Sequence, residues 1–287
     1  MNYEEYIKSY VNRKDSWSLV MGSEGYDNRP LLEKEENLYE EWLEQYSPEE
    51  QKQFCMDGLL FGRNQDPNEE AKKYEEAKKW IHAKRRVLFL MKDTNGNPDD
   101  DIREWHIGYG TNPDGTPKPE HRFYIVLLKW LWALNEVTAD NLPVFNKTKE
   151  EYIEATWQYP MAQVNVKKLS GGSQLSNDEL REYLDDSSPI RFSLQYKQFQ
   201  ILKPNIIVCG GGSGLLCEFV IDRIYQDFFF EKINDWCYYC TAIDLLVIDS
   251  YHPSSRISDT EKFDNMIAAV QQVYKYKAYK ESLNNQQ

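Results

Sequence analysis

"VIDSYHPSSR", Val247–Arg256, starts as an apolar run and breaks into a loop carrying a histidine, hydroxyls and an arginine. The chain holds only four histidines, and this one sits where a buried strand should end. Three other short apolar runs share the design. "VLFLM" (87–91), "MAQVNV" (161–166) and "NIIVCG" (205–210) join "LLVID" (245–249), and each ends in polar or glycine-rich residues. Runs of this length, bounded by turn signals, fit strands buried on both faces, as in parallel sheets.

Helical patterns lie between them. "FYIVLLKWLWAL" from Phe123 is apolar on most sides and reads as a buried helix. "LLCEFVIDRIYQDFF" from Leu215 follows a glycine-rich turn. The capping box "SDTE", Ser258–Glu261, opens a last helix whose apolar face is Phe263, Met266, Ile267, Val270, Val273 and Tyr274. Strands alternating with helices predict an α/β fold, a three-layer α/β/α sandwich with a central, mostly parallel, four-stranded sheet. The first 80 residues read differently. "SPEE" (47–50) is a helix start, and "NEEAKKYEEAKKWIHAKRR" from Asn68 pairs charges at helical spacing. The expected division is an acidic helical extension over 1–84 and an α/β domain over 85–287.

Composition bounds the function. The 287 residues are 41% hydrophobic, enough for a sizeable core. No apolar run approaches the roughly 20 residues of a membrane helix, and "MNYEEYIKSY" shows no secretory pattern. Five scattered cysteines fit a reducing compartment, so a cytoplasmic protein is expected. Net charge is −13, of which −8 falls in residues 1–80. A uniformly acidic surface repels nucleic acid; an acidic front piece on a nearly balanced domain leaves room for a local basic groove.

In open α/β sheets, ligands bind outside the carboxyl ends of the strands. Four loops are expected there: "KDTNGNPDDD" (92–101), "NVKKLSGGS" (165–173), "GGGSG" (210–214) and "SYHPSSR" (250–256). In order and spacing they resemble the motifs of the uracil-DNA glycosylase superfamily. Lys92-Asp93-Thr94 stands where the family carries a water-positioning acid, with Thr94 where proline is common. Asn165-Val166-Lys167-Lys168 is similar to the family's N-V-x-K form, "ILKPNIIVCGG" to its third motif, and His252-Pro253-Ser254 to its H-P-S. The resemblance covers about residues 85–275.

It implies removal of an extruded DNA base by hydrolysis, with DNA as partner; no cofactor and no metal are expected, because Cys237 and Cys240 lack a matching pair and Pro98 interrupts the calcium loop. Some members repair DNA, and others act in defence against phage DNA. Cleaving an N-glycosidic bond leaves positive charge on the sugar and negative charge on the departing base. Asp93 is expected to stabilise the sugar cation and position water. His252 is expected to donate a hydrogen bond to the base as it becomes anionic. The amide of Asn165 offers a donor and an acceptor to a base edge. Lys167, Lys168, Ser173, Ser254, Ser255 and Arg256 are expected to hold the flanking phosphates. Trp105, in the long polar insertion after the first strand, is a candidate for stacking on the base.

Each residue also has a plainer reading. His252 can cap a strand, Asn165 can satisfy its own turn, Asp93 can be a solvated loop acid, and Arg256 can pair with Asp259. Asp93, Asn95, Asn97, Asp99, Asp101 and Glu104 fall at calcium-loop positions, but Pro98 replaces the required glycine. Cys237 and Cys240 form a C-x-x-C without the second pair that a structural zinc site needs. "GGGSG" lacks the dinucleotide-binding register, because Leu215 stands at the third glycine. From another functional class, a non-catalytic module binding nucleic acid, nucleotide or protein on the same fold competes with the hydrolase.

Overall fold

The computed structural model describes residues 31–62, 69–94, 101–104, 110–111, 117–118, 122–170, 175–186 and 189–284. In chain order the main elements are α1 (Leu31–Leu43), α2 (Pro48–Gln51), β1 (Gly58–Leu59), α3 (Glu69–His82) and β2 (Val87–Met91). There follow β3 (Gly110–Thr111), β4 (Pro117–Lys118), α4 (Arg122–Glu136), α5 (Lys149–Ala155) and β5 (Met161–Asn165). Then come α6 (Asn177–Asp186), α7 (Pro189–Leu202), β6 (Ile206–Gly210) and α8 (Leu215–Glu218), the last running into a π-helical stretch, Phe219–Ile224. The chain continues through β7 (Glu231–Lys232), β8 (Cys237–Cys240), β9 (Leu245–Ser250) and α9 (Asp259–Asn284).

The fold is α/β. Its central sheet has seven strands, not the expected four, in the order β1-β5-β2-β6-β9-β8-β7. The four apolar runs form the centre, and β5, β2, β6 and β9 all run parallel. The three additional strands, β1, β8 and β7, are antiparallel additions at the two edges. Every residue of β2, β5 and β6 is buried, which is why those strands read as continuous apolar runs rather than alternating ones.

Alternation along the buried strands divides the core. Val87, Phe89, Met91, Val208 and Ile248 face Trp130 and Leu131 of α4 and Phe263 and Val270 of α9. Leu88, Leu90, Val164, Ile207 and Val247 face Tyr196 and Phe199 of α7 and Leu216 of α8. Each such side chain contributes roughly 1.5–3 kcal/mol on burial.

The expected boundary at residue 84 is not a break in packing. Gly58 and Leu59 pair with Gln163 and Ala162, the Trp80 indole N–H donates to the Leu202 carbonyl at 2.7 Å, and Cys55 N–H donates to the Lys168 carbonyl at 2.9 Å. The described residues between 31 and 82 therefore add a strand and a helical cover to the α/β unit. A two-residue strand carries no period for a sequence reading to find. Gly58 adopts φ +136°, and a Cβ there would lie 2.1 Å from Glu35 Oε1, so only glycine fits. Among the described residues, no helix is long and apolar enough to cross a membrane.

Candidate functional site

Register brings the four strand ends to one edge. Met91 pairs with Asn165, Leu90 with Cys209 and Gly210 with Ser250. The pairing continues past the strands. Val166 N–H donates to the Met91 carbonyl at 3.0 Å, Lys167 N–H to the Lys92 carbonyl at 2.9 Å and Gly211 N–H to the Ser250 carbonyl at 2.9 Å. Asp93, Asn165 and His252 consequently share the carboxyl edge of the parallel strands.

His252 is half-buried, and its Nδ1 accepts the Ser254 backbone N–H at 3.1 Å. With Nδ1 accepting, the ring proton belongs on Nε2, leaving a neutral imidazole with its one donor there. Burial, reinforced by the charges of Lys92 and Lys262, holds the ring below its ordinary pKa. The buried Lys262 amine donates to the Pro253 carbonyl at 2.7 Å and fixes the turn after the histidine. From the other side, Gly211 (φ +89°) backs onto the ring's stem. A Cβ at Gly211 would stand 3.0 Å from that of His252. Phe123, at the start of α4, lies with its ring centroid 5.8 Å from the imidazole.

Asp93 is half-buried, and desolvation raises its carboxyl above the ordinary value against the opposing pull of Lys167 and Lys92. Lys92 donates to the Leu175 carbonyl at 3.2 Å and to Asn177 Oδ1 at 2.9 Å. Thr94 is buried, and its hydroxyl has no hydrogen-bond partner.

Asn165 is 1% exposed. Its backbone N–H donates to Asp57 Oδ2 at 2.7 Å, yet both side-chain amide atoms lack a partner. A buried amide left without hydrogen bonds costs about 1–3 kcal/mol, and buried orphans of this kind mark places where a ligand or water belongs. Its own turn does not satisfy it.

Lys168 requires a correction. It is not on the surface with Lys167 but fully buried. Its amine contacts Asp57 Oδ1 at 2.6 Å and Oδ2 at 2.8 Å, and Gln198 Oε1 at 2.8 Å. It follows Val164 and Val166 on the inward side of the alternation, so it holds the interior rather than a phosphate. Lys167 is half-buried, Ser254 and Arg256 are exposed, and Ser255 is half-buried with an unpartnered hydroxyl. The surface pair between Arg256 and Asp259 does not form. Asp259 is held instead by Arg122 at 2.8 Å and by Lys129 and Lys262 at 3.3 Å. Trp105 and Ser173 lie outside the described residues.

The calcium reading loses Asp101, whose carboxylate is clamped by Arg103 at 2.7–3.1 Å. Asn95, Asn97 and Asp99 lie outside the described residues. Cys237 and Cys240 are buried free thiols at opposite ends of β8. Among the described residues, no group of three or more His, Cys, Asp or Glu is placed to hold a metal ion. A cavity of about 120 Å³ opens at the other, amino edge, beside Arg85, Asn205 and Lys277, away from Asp93, Asn165 and His252.

Sequence reasoning missed Asp57 and Phe123. Phe123 was legible only as part of an apolar helix. Asp57 touches the site from 108 residues away. Compared with protein-family models and with curated protein sequences, the chain matches none.

The arrangement offers a neutral imidazole donor, a carboxylate among cations, an amide with free donor and acceptor, and an aromatic ring beside the imidazole. That combination suits a reaction in which a planar leaving group gains negative charge while the group it leaves gains positive charge.

Proposed function

We propose that the chain is a cytoplasmic DNA N-glycosylase, a hydrolase built on a uracil-DNA glycosylase-like, three-layer α/β/α domain. The observation that carries this reading is the Asn165 amide, buried and unpartnered on the same sheet edge as Asp93 and His252. An extruded base satisfies that amide with its own donor and acceptor, while Phe123 offers it a ring face. His252 Nε2–H donates to the base as negative charge develops. The Asp93 carboxylate stabilises the sugar cation and orients the attacking water. Exposed Arg256 and Ser254, with Lys167, hold the flanking phosphates. The two apolar clusters, one on each face of the sheet, support the layered arrangement. Five free thiols support a reducing setting.

The test is an alkaline-cleavage assay on single- and double-stranded oligonucleotides carrying uracil, mismatched thymine, or the modified pyrimidines of phage DNA. The proposal expects an alkali-labile abasic site at one of these bases. Binding to the same oligonucleotides without base release from any of them replaces the enzyme with a nucleic-acid-binding module. The net charge of −13 and Thr94 in place of the family's proline favour that module.

A further inference from the structure

The deepest polar cluster near the site does not line it. Asp57, Lys168 and Gln198 are 0% exposed and bonded to one another. Lys168 Nζ reaches both Asp57 oxygens, and Gln198 Nε2 donates to Asp57 Oδ1 at 2.8 Å and contacts the Tyr39 hydroxyl at 3.2 Å. The same Asp57 carboxylate accepts the backbone N–H of Asn165. One carboxylate thus cinches both ends of the turn from residue 165 to residue 168. The segment that carries it runs alongside. Cys55 N–H donates to the Lys168 carbonyl and Ser170 N–H to the Gln53 carbonyl at 2.8 Å.

Asn165 is the last residue of β5, where the ladder no longer fixes the chain on both sides. Holding its N–H on a buried, doubly braced carboxylate fixes the backbone at that residue, and with it the direction of the Cα–Cβ bond. That limits where the side-chain amide can reach, although the amide makes no hydrogen bond of its own. A buried ion pair is by itself weak evidence for a stabilising role; what distinguishes this one is that its carboxylate also accepts the Asn165 N–H.

We propose that Asp57, contributed by the segment ahead of the apolar core strands, is the positioning residue for Asn165, and that the α1–β1 segment is therefore part of the site rather than an appendage. This rests on the reading of Asn165 as the group that recognises the ligand. It predicts that the orientation of the Asn165 amide depends on an acceptor at position 57, not on charge there.

Two double variants separate the possibilities. Asp57→Leu with Lys168→Met removes the acceptor and leaves no buried charge. Asp57→Asn with Lys168→Met also removes both charges but keeps an oxygen for the Asn165 N–H. In full-length ¹⁵N-labelled protein, the side-chain amide signal of Asn165, assigned by its loss in Asn165→Asp, is expected to move and exchange faster with water in the leucine variant. The asparagine variant is expected to restore it. On the oligonucleotide that wild-type protein cleaves, the leucine variant is expected to lose about tenfold in single-turnover rate, the size of one lost hydrogen bond to a charged group. The asparagine variant is expected to stay near wild type. An unchanged Asn165 signal in the leucine variant, or equal loss in both variants, overturns the proposal. If the leucine variant does not fold, Gln198→Ala, which loosens Asp57 without stranding a charge, takes its place, and an unmoved Asn165 signal there overturns it equally. Absence of base release from wild-type protein would remove the glycosylase reading, while the amide signal still decides the role of Asp57.

Discussion

Two asparagines sit at opposite ends of the same sheet and are treated in opposite ways. Asn205, before β6, accepts the Arg86 N–H at 2.7 Å and donates to the Lys84 carbonyl at 2.7 Å, so its amide ties the loop ahead of β2 to the start of β6. Asn165, at the carboxyl end of β5, is more deeply buried and bonds nothing through its side chain. Asn205 is a structural turn residue. Asn165 has none of the bonds that would make it one. Other buried side chains among the described residues also hold unpartnered atoms, both amide atoms of Gln195 included; what sets Asn165 apart is its place on the carboxyl edge with Asp93 and His252. The carboxyl edge also collects the half-buried Asp93, the desolvated His252 and four successive residues with positive φ, Gly211, Gly212, Ser213 and Gly214.

The largest effects should come from the carboxylate and the imidazole of the carboxyl edge. Asp93→Asn and His252→Ala are each expected to slow single-turnover base release on the order of a hundredfold to a thousandfold while leaving DNA affinity within a few-fold. Weakened binding with an unchanged chemical step would move both residues from chemistry to contact. The pH profile sharpens the Asp93 assignment. Its carboxyl is raised above 3.8 by burial, so activity should fall as acid protonates it, and Asp93→Asn should lack that acid limb.

Gly211 tests whether the histidine is held from behind. An added Cβ meets the His252 stem at 3.0 Å, on a backbone at φ +89°. Gly211→Ala is expected to cost roughly 1–2 kcal/mol from the left-handed backbone and to disturb the imidazole, whereas Gly212→Ala, whose Cβ meets Leu180 and Leu216 at 3.4 Å, should carry the strain alone. Equal rates in the two variants would separate Gly211 from His252.

Glu35, away from the edge, is another buried side chain with an unpartnered atom. It is fully buried, accepts Leu59 N–H at 3.2 Å and leaves Oε2 free; burial pushes its carboxyl up to about 8. A raised folded-state pKa favours the protonated form. The stabilisation is therefore complete below the unfolded value near 4.5 and is lost as pH rises toward 8. Denaturation of wild type should lose up to about 1.4 kcal/mol per pH unit across that window relative to Glu35→Gln. Parallel profiles would mean that Glu35 is ionised and solvated.

The smallest effect belongs to the rim. Arg256→Ala is expected to weaken DNA binding uniformly across sequences and to lower the salt dependence by about one counterion.

The fold was legible where burial leaves a repeating mark. VLFLM became β2 at the expected residues, and Ser47 and Glu50 form the capping box that SPEE implies. The edges left no such mark. β1 and β7 are two residues each, and the CYYC of β8 attracts attention as a thiol pair although it is a strand. The candidate site was legible as far as local motifs reach. Lys168 was misplaced although alternation from Val164 and Val166 puts it inward. Asp57 was invisible because its contacts with Asn165 and Lys168 span 108 and 111 residues.

The most direct measurement sets the two asparagines side by side. Asn165→Ala and Asn205→Ala are purified together, and each is assayed for unfolding free energy and single-turnover base release. The account predicts a crossed result. Asn205→Ala should lose about 1–2 kcal/mol, having broken two hydrogen bonds, and keep its rate. Asn165→Ala should stay within about 1 kcal/mol of wild type and lose tenfold or more in rate. An Asn165→Ala protein that is destabilised like Asn205→Ala and releases base at the wild-type rate would contradict the account.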